Sequence, residues 1–166
     1  MGRHKNINIP PVELIKFQRK ISNSFMIKIR GHSMLPQLMD GDIAIISFEQ
    51  EYKLGNIVLF EYKKEGQLLH RIVKIKNGFY YCKGDNAFRI ERILPEQILG
   101  KAVAIKRGDK IIYLDYDSLI YLRIICLLSI CVNKFFIKHN YNVQRCKTSF
   151  YYKLLQNLLK SKVVFK

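Results

Sequence analysis

Short apolar runs rich in β-branched and aromatic residues dominate positions 25–114, and they stop at glycine and Asp/Asn turns. Runs of this length and composition, bounded by turn residues, are the pattern of strands. The runs therefore predict strands at 25–30, 43–48, 57–62, 68–76, 79–82, 98–106 and 110–114. Gly41-Asp42, Gly55-Asn56, Gly66, Asn77-Gly78, Gly84-Asp85-Asn86 and Gly108-Asp109 punctuate them. Asn77-Gly78, between two β-rich runs, is the strongest hairpin signal, because both residue types accept the backbone of a tight two-residue turn. Short strands at this spacing predict a mostly-β barrel or sandwich.

Two other regions follow a helical period. Residues 11–22 start at Pro11 and carry Val12, Ile15, Phe17 and Ile21, which predicts a short N-terminal helix. Beyond Asp115 the turn signals nearly stop. Residues 119–137 (LIYLRIICLLSICVNKFFI) are strongly apolar, but Arg123, Asn133 and Lys134 interrupt them. The uninterrupted part falls short of the roughly 20 residues of a spanning helix, so a core-packing or interfacial helix is expected. Residues 151–165 give a second basic helical pattern through Leu154, Leu155, Leu158 and Leu159. The expected division is a mostly-β domain at 1–116 and a basic, apolar helical tail at 117–166.

Composition changes this picture mainly through charge. With 166 residues, 49% hydrophobic and 25% charged, the chain suits one globular core plus an appendage. Its net charge of +16 is uneven. Residues 1–116 hold 20 Lys and Arg against 12 Asp and Glu, whereas 117–166 hold 9 against 1. An anionic membrane, nucleic acid or an acidic partner would each answer such a tail, and a coding bias toward Lys, Ile, Asn and Tyr would also produce it. Cys82, Cys126, Cys131 and Cys146 form no C-x-x-C pair and read as reduced, structural thiols. The four His residues are scattered, which argues against a His-rich metal site. The N-terminus is basic, lacks an apolar stretch of signal-peptide length, and has Asn6 where a myristoylation start would carry Ser or Thr. No N-terminal anchor is expected.

The candidate chemistry lies in the β-rich part. Ser33 sits in Gly31-His32-Ser33-Met34-Leu35-Pro36, where glycine permits close backbone approach and Pro36 fixes a turn. A Ser beside Gly is ordinarily only a turn hydroxyl, and a nucleophilic one needs a base within hydrogen-bond reach. His70 falls in a strand-like run on the same face as Leu68 and Ile72, where a lone His is usually a core residue. An imidazole is nevertheless well suited to accept a hydroxyl proton near neutral pH. Asp85, in a Lys-Gly-Asp-Asn turn, and Glu91, six residues later, could each orient that imidazole. Asp85 could equally bond its own turn, and Glu91 could pair with Arg89 or Arg92.

Taken in order, these segments resemble the type I signal peptidase family from about Phe25 to Arg107. The resemblance is carried by G-x-S-M-x-P-x-L-x-x-G-D at Gly31 to Asp42, by Gly55-Asn56-Ile57-Val58 with Phe60, and by His70-Arg71-Ile72-Val73. Lys83-Gly84-Asp85-Asn86 and Ile98-Leu99-Gly100-Lys101 complete it. Bacterial housekeeping enzymes of the family and self-cleaving SOS repressors place Lys where this chain has His70. The archaeal, endoplasmic-reticulum and sporulation-type branch places His there, and the chain is similar to that branch.

The resemblance implies a mostly-β catalytic core and a serine endopeptidase that removes a signal or leader peptide. Ser33 would be the nucleophile and His70 the general base, supported by Asp85 and Glu91. Gly31 and Met34 would support the turn and the oxyanion, and no metal or organic cofactor is implied. Three departures stand out: Asn56 for the family's Asp, Glu91 for its later Asp, and Gly31 where bacterial relatives carry an oxyanion-binding Ser. The family's N-terminal membrane helix has no counterpart in this sequence. The expected partners are a precursor protein or leader-peptide substrate, with an anionic membrane surface or a transporter meeting the tail and holding the protein peripherally; nucleic acid is not expected. The alternatives are a non-catalytic membrane- or nucleic-acid-binding module that keeps the fold, and a self-cleaving regulator.

Overall fold

The computed structural model describes residues 13, 15, 18, 20, 22–48, 51–63, 66–114 and 116–161. β-branched and aromatic residues fill its strands, which suits a pleated, half-buried surface. The strands are β1 (Ser24–Lys28), β2 (Ile43–Ser47), β3 (Ile57–Glu61), β4 (Gln67–Lys76), β5 (Phe79–Lys83), β6 (Glu91–Ile93), β7 (Ile98–Arg107) and β8 (Lys110–Tyr113). They form one 8-stranded sheet in the order β1-β2-β7-β3-β4-β5-β6, with β8 paired to β7. Every pairing is antiparallel. Asn77 and Gly78 take φ values of 52° and 76° in the β4–β5 turn, the backbone that this dipeptide signals.

The mostly-β expectation holds, but the sheet is not a closed barrel. Its order ends at β1 and β6 without joining them. β4 pairs with β3 from Gln67 to Arg71, while β5 joins it only from Arg71 onward. The stretch from Gln67 to His70 is therefore laddered on one side, and the gap beside it faces β1. Register shifts in β2–β7, β3–β7 and β4–β5 bend the strands that flank this gap.

Each face of the sheet carries a core. Ile57, Leu59, Ala44, Ile46, Met34 and Leu38 belong to one cluster; Val58, Phe60, Ile72, Cys82, Ile93 and Ile98 form the other. Ile15 joins the first cluster from the N-terminal segment, where Glu13, Ile15 and Gln18 are helical. The other apolar positions of that predicted helix, Val12, Phe17 and Ile21, lie outside the described residues.

After the sheet come α1 (Leu119–Lys138), α2 (Val143–Thr148) and α3 (Phe150–Ser161). Asn142 caps α2 by accepting from the Arg145 N–H at 2.9 Å, and Ser149 Oγ accepts from the Tyr152 N–H at 3.3 Å at the start of α3. Ile125, Val132, Phe136, Cys146, Leu155 and Leu159 form a third cluster. Phe88, from the loop after β5, packs against it, its ring tilted against those of Phe136 and Tyr152. α1 is long and apolar enough to cross a membrane by length and composition, with a mean hydropathy of 1.9 and 39% of its apolar window buried in the fold. Residues 162–165 of the predicted tail helix lie outside the described residues. β6 and α2 were not legible as elements: β6 is three residues beginning Glu91-Arg92, and α2 buries only Cys146.

Candidate active site

The Ser33 turn is fastened at both ends. Met34 and Leu38 anchor it in the core at 3% and 0% exposure, which leaves Ser33 itself exposed. Gly31, with φ near 90°, donates its N–H to Asp40 Oδ1 at 2.7 Å. Asp42 accepts the Met39 N–H at 2.8 Å and forms a two-pronged pair with Arg107 at 2.9 and 2.7 Å. Arg107 Nη2 also donates to the Gln37 carbonyl at 3.0 Å, so the hairpin end of β7 ties down the turn before β2. Hydrogen bonding to Asp42 raises the Arg107 pKa further.

His70 projects from β4 at the point where β5 pairing begins and is 5% exposed. Its Nε2 lies 3.1 Å from Ser33 Oγ, and its Nδ1 lies 3.0 Å from Glu91 Oε2 on β6. An ionised carboxylate only accepts, so Nδ1 carries the proton toward Glu91. In a neutral imidazole this leaves the Nε2 lone pair for the Ser33 hydroxyl. Phe60 sets its ring edge-on to the imidazole, with centroids 6.1 Å apart.

Asp85 is placed elsewhere. Its carboxylate receives Nε and Nη2 of Arg71 at 2.9 and 2.7 Å, and it makes no bond to His70. Arg71 is 2% exposed and also donates to the Gly55 carbonyl at 2.8 Å and to Gln37 Oε1. Burial works against the guanidinium charge, but Asp85 outweighs it and the Arg71 pKa rises. Asp85 thus ties the Lys-Gly-Asp-Asn loop to the strand bearing His70, while Glu91 is the carboxylate on the imidazole.

That loop presses on the serine turn. Asn86 donates its N–H to the Ser33 carbonyl at 2.7 Å and its Nδ2 to the His32 carbonyl at 3.0 Å. A Cβ at Gly84 would stand 2.6 Å from the Ser33 carbonyl oxygen and 3.0 Å from His70 Nε2, so this approach requires glycine. Lys83, 1% exposed, donates to the Gly84 carbonyl at 3.0 Å. Burial lowers its pKa to about 8, against partial compensation from Asp85. Burial also raises the Cys82 thiol well above its ordinary value.

A cleft of about 220 Å³ runs from Ser33 into the gap of the sheet. Ile27, Ile29, Leu59, Leu69 and Met34 give it an apolar floor. The hydrogen bonds from Tyr62 to Gly66 and from Ile72 to Asn56 set the β3–β4 alternation, which turns the backbone groups of Gln67 and Leu69 toward the cleft. The bonds from Phe48 to Asn23 and from Ile29 to Asp42 likewise leave those of Lys28 and Arg30 on the free side of β1. Two unpaired strand edges therefore border one apolar trough that ends at a hydroxyl. Among the described residues, no group of three His, Cys, Asp or Glu side chains is placed to hold a metal ion.

Of the residues that the sequence singled out, the fold brings Ser33, His70 and Glu91 together and sets Asp85 on Arg71; the contacts of Asn86, Arg71 and Gln37 were not foreseen. The Asn86 and Arg71 positions lay inside quoted motifs, and only the fold shows what their side chains hold.

A family model described as Peptidase S24-like matches residues 4–103, more than half of the chain, and spans β1 to β6 and the first part of β7. No curated protein and no solved structure matches it significantly. The chain belongs to the Peptidase S24-like family, with a serine-peptidase-type fold.

Proposed function

We propose that this Peptidase S24-like protein is a serine endopeptidase of the signal-peptidase type, cutting a signal or leader segment from a precursor by Ser33–His70–Glu91 catalysis. The observation that carries the reading is the unbroken relay of 3.1 and 3.0 Å from hydroxyl to imidazole to carboxylate. Ser33 Oγ attacks the scissile carbonyl carbon as its proton passes to His70 Nε2. The imidazolium, stabilised by Glu91, returns that proton to the leaving amine as the C–N bond breaks. Water, deprotonated by the same imidazole, then hydrolyses the Ser33 ester. The Gly31 N–H is already committed to Asp40, so Gly31 shapes the turn and the Ser33 N–H is the oxyanion donor on offer. Asp85 serves the site by holding Arg71.

Substrate enters as an extended strand between β1 and β4, bonded by the backbones of Lys28 and Arg30 on one side and Gln67 and Leu69 on the other. Small apolar side chains suit the floor of Ile27, Ile29, Leu59 and Leu69. The test is co-expression with leader-bearing precursors. Wild type should process one of them, and Ser33→Ala and His70→Ala should each abolish processing; processing that survives in both variants defeats the mechanism. A self-cleaving regulator of the same family would instead show Ser33-dependent cleavage of its own chain.

The tail is proposed to rest on an anionic membrane surface. Ile120, Ile124, Leu127 and Cys131 recur on one helical face of α1, with Ile120 75% and Leu127 63% exposed. Exposed Arg123, Lys134 and Lys138 share that side, and the whole of 117–166 carries one acidic residue. Apolar insertion flanked by cations suits anionic headgroups. Flotation should recover the protein with phosphatidylglycerol vesicles, less so at high salt or after Ile120→Asp with Leu127→Asp. Flotation unaffected by lipid charge, salt and those changes rules out this surface.

A further inference from the structure

The helices after the sheet reach the serine turn through one hydrogen-bond chain. Tyr152 on α3 donates its hydroxyl to Asn86 Oδ1 at 2.6 Å. The same amide donates Nδ2 to the His32 carbonyl at 3.0 Å, and the Asn86 N–H donates to the Ser33 carbonyl at 2.7 Å. One turn further along α3, Gln156 Nε2 donates to the Asp85 carbonyl at 2.9 Å. On α1, Asn133 Nδ2 donates to the Phe88 carbonyl at 2.7 Å. Three side chains from the helical segment thus grip residues 85–88, and one of them fixes the orientation of the Asn86 side-chain amide, which holds the His32 carbonyl next to the nucleophile while the Asn86 backbone N–H holds that of Ser33.

The chemistry of an amide explains why the Tyr152 hydroxyl matters. Without a donor on Oδ1, the Asn86 side chain can rotate its oxygen toward the His32 carbonyl, where it would repel rather than donate. With Tyr152 bonded to Oδ1, only Nδ2 faces His32. The Tyr152 ring, tilted against Phe88 at 5.7 Å between centroids, holds that hydroxyl in place.

We infer that Tyr152 is a positioning residue for Ser33: acting through Asn86, the C-terminal helices set the aim of the nucleophile. The inference rests on Ser33 being the nucleophile, and it assigns α3 a part in catalysis although α3 lies outside the family match. A misaimed nucleophile slows bond formation without changing how the cleft binds.

The test uses the full chain and a fluorophosphonate that acylates nucleophilic serines. Tyr152→Phe removes one oxygen and keeps the ring. It should lower the maximal rate of Ser33 labelling by roughly tenfold with an unchanged half-saturating concentration. Asn86→Ala should slow labelling at least as much, and adding Tyr152→Phe to it should produce no further loss. Tyr121→Phe, which removes the hydroxyl bonded to the Leu158 carbonyl in the same helical segment, should label at the wild-type rate. Equal labelling of wild type and Tyr152→Phe, or additive losses in the double variant, overturns the positioning role. Absence of labelling in wild type overturns the reading of Ser33 itself, and the two failures are distinct.

Discussion

Two carboxylates near one imidazole have different tasks, and substitution separates them. Glu91 accepts from His70 Nδ1, so Glu91→Gln leaves the packing intact but removes the charge that stabilises the imidazolium. Activity should fall by roughly 10²–10⁴, with little change in thermal midpoint. Asp85 neutralises a guanidinium that is 2% exposed, so Asp85→Asn strands that charge in the interior. Unfolding by urea should show a loss of about 3–5 kcal/mol. A stability loss for Glu91→Gln alone, or a rate loss for Asp85→Asn alone, would reverse the assignment. The sequence left these two carboxylates level, since each follows His70 at a plausible distance. What decides between them is the pairing of β6 on β5, which sets Glu91 opposite Cys82 and within reach of the imidazole. No local pattern announces a three-residue strand that begins with two charges.

At the scale of elements, the strands around the site were legible because their chemistry is local. Asn77-Gly78 signals its turn, and the short continuous apolar run of β3 is that of a strand buried on both faces, giving Ile57 and Leu59 to one core and Val58 and Phe60 to the other. The open edge was not legible, because it depends on where β5 stops pairing with β4. Lys83 closes β5, and its burial has a measurable consequence. Its ammonium loses its proton from about pH 8 in the folded protein, against an ordinary value of 10.5 in the unfolded chain. Between those values the unfolded chain binds more protons, so this residue makes stability rise with pH over that interval. The buried thiols act in the opposite sense: Cys126, for one, is held protonated to about 11, which takes stability away once unfolded thiols ionise. Comparison with Lys83→Met isolates the lysine. The variant should be more stable than wild type at pH 7 by about 2–3 kcal/mol, and that advantage should shrink to nothing by pH 10.5. An advantage independent of pH would show that Lys83 is not desolvated.

The molecule as a whole joins an open antiparallel sheet, gapped where a substrate strand would lie, to a cationic helical segment braced against the loop behind the nucleophile. The basic tail was readable as a compositional shift at Asp115, but its attachment to the site was not. Tyr152 and Gln156 find Asn86 and the Asp85 carbonyl only after the chain has folded back across some seventy residues. The central claim is that Ser33 is a nucleophile activated by His70. Its most direct test is to treat the full chain with a fluorophosphonate and locate the adduct by peptide mass spectrometry. A single adduct on Ser33, slowed at least about 100-fold in His70→Ala, is the predicted result. An adduct on another residue, or labelling of Ser33 at the same rate without His70, would contradict it.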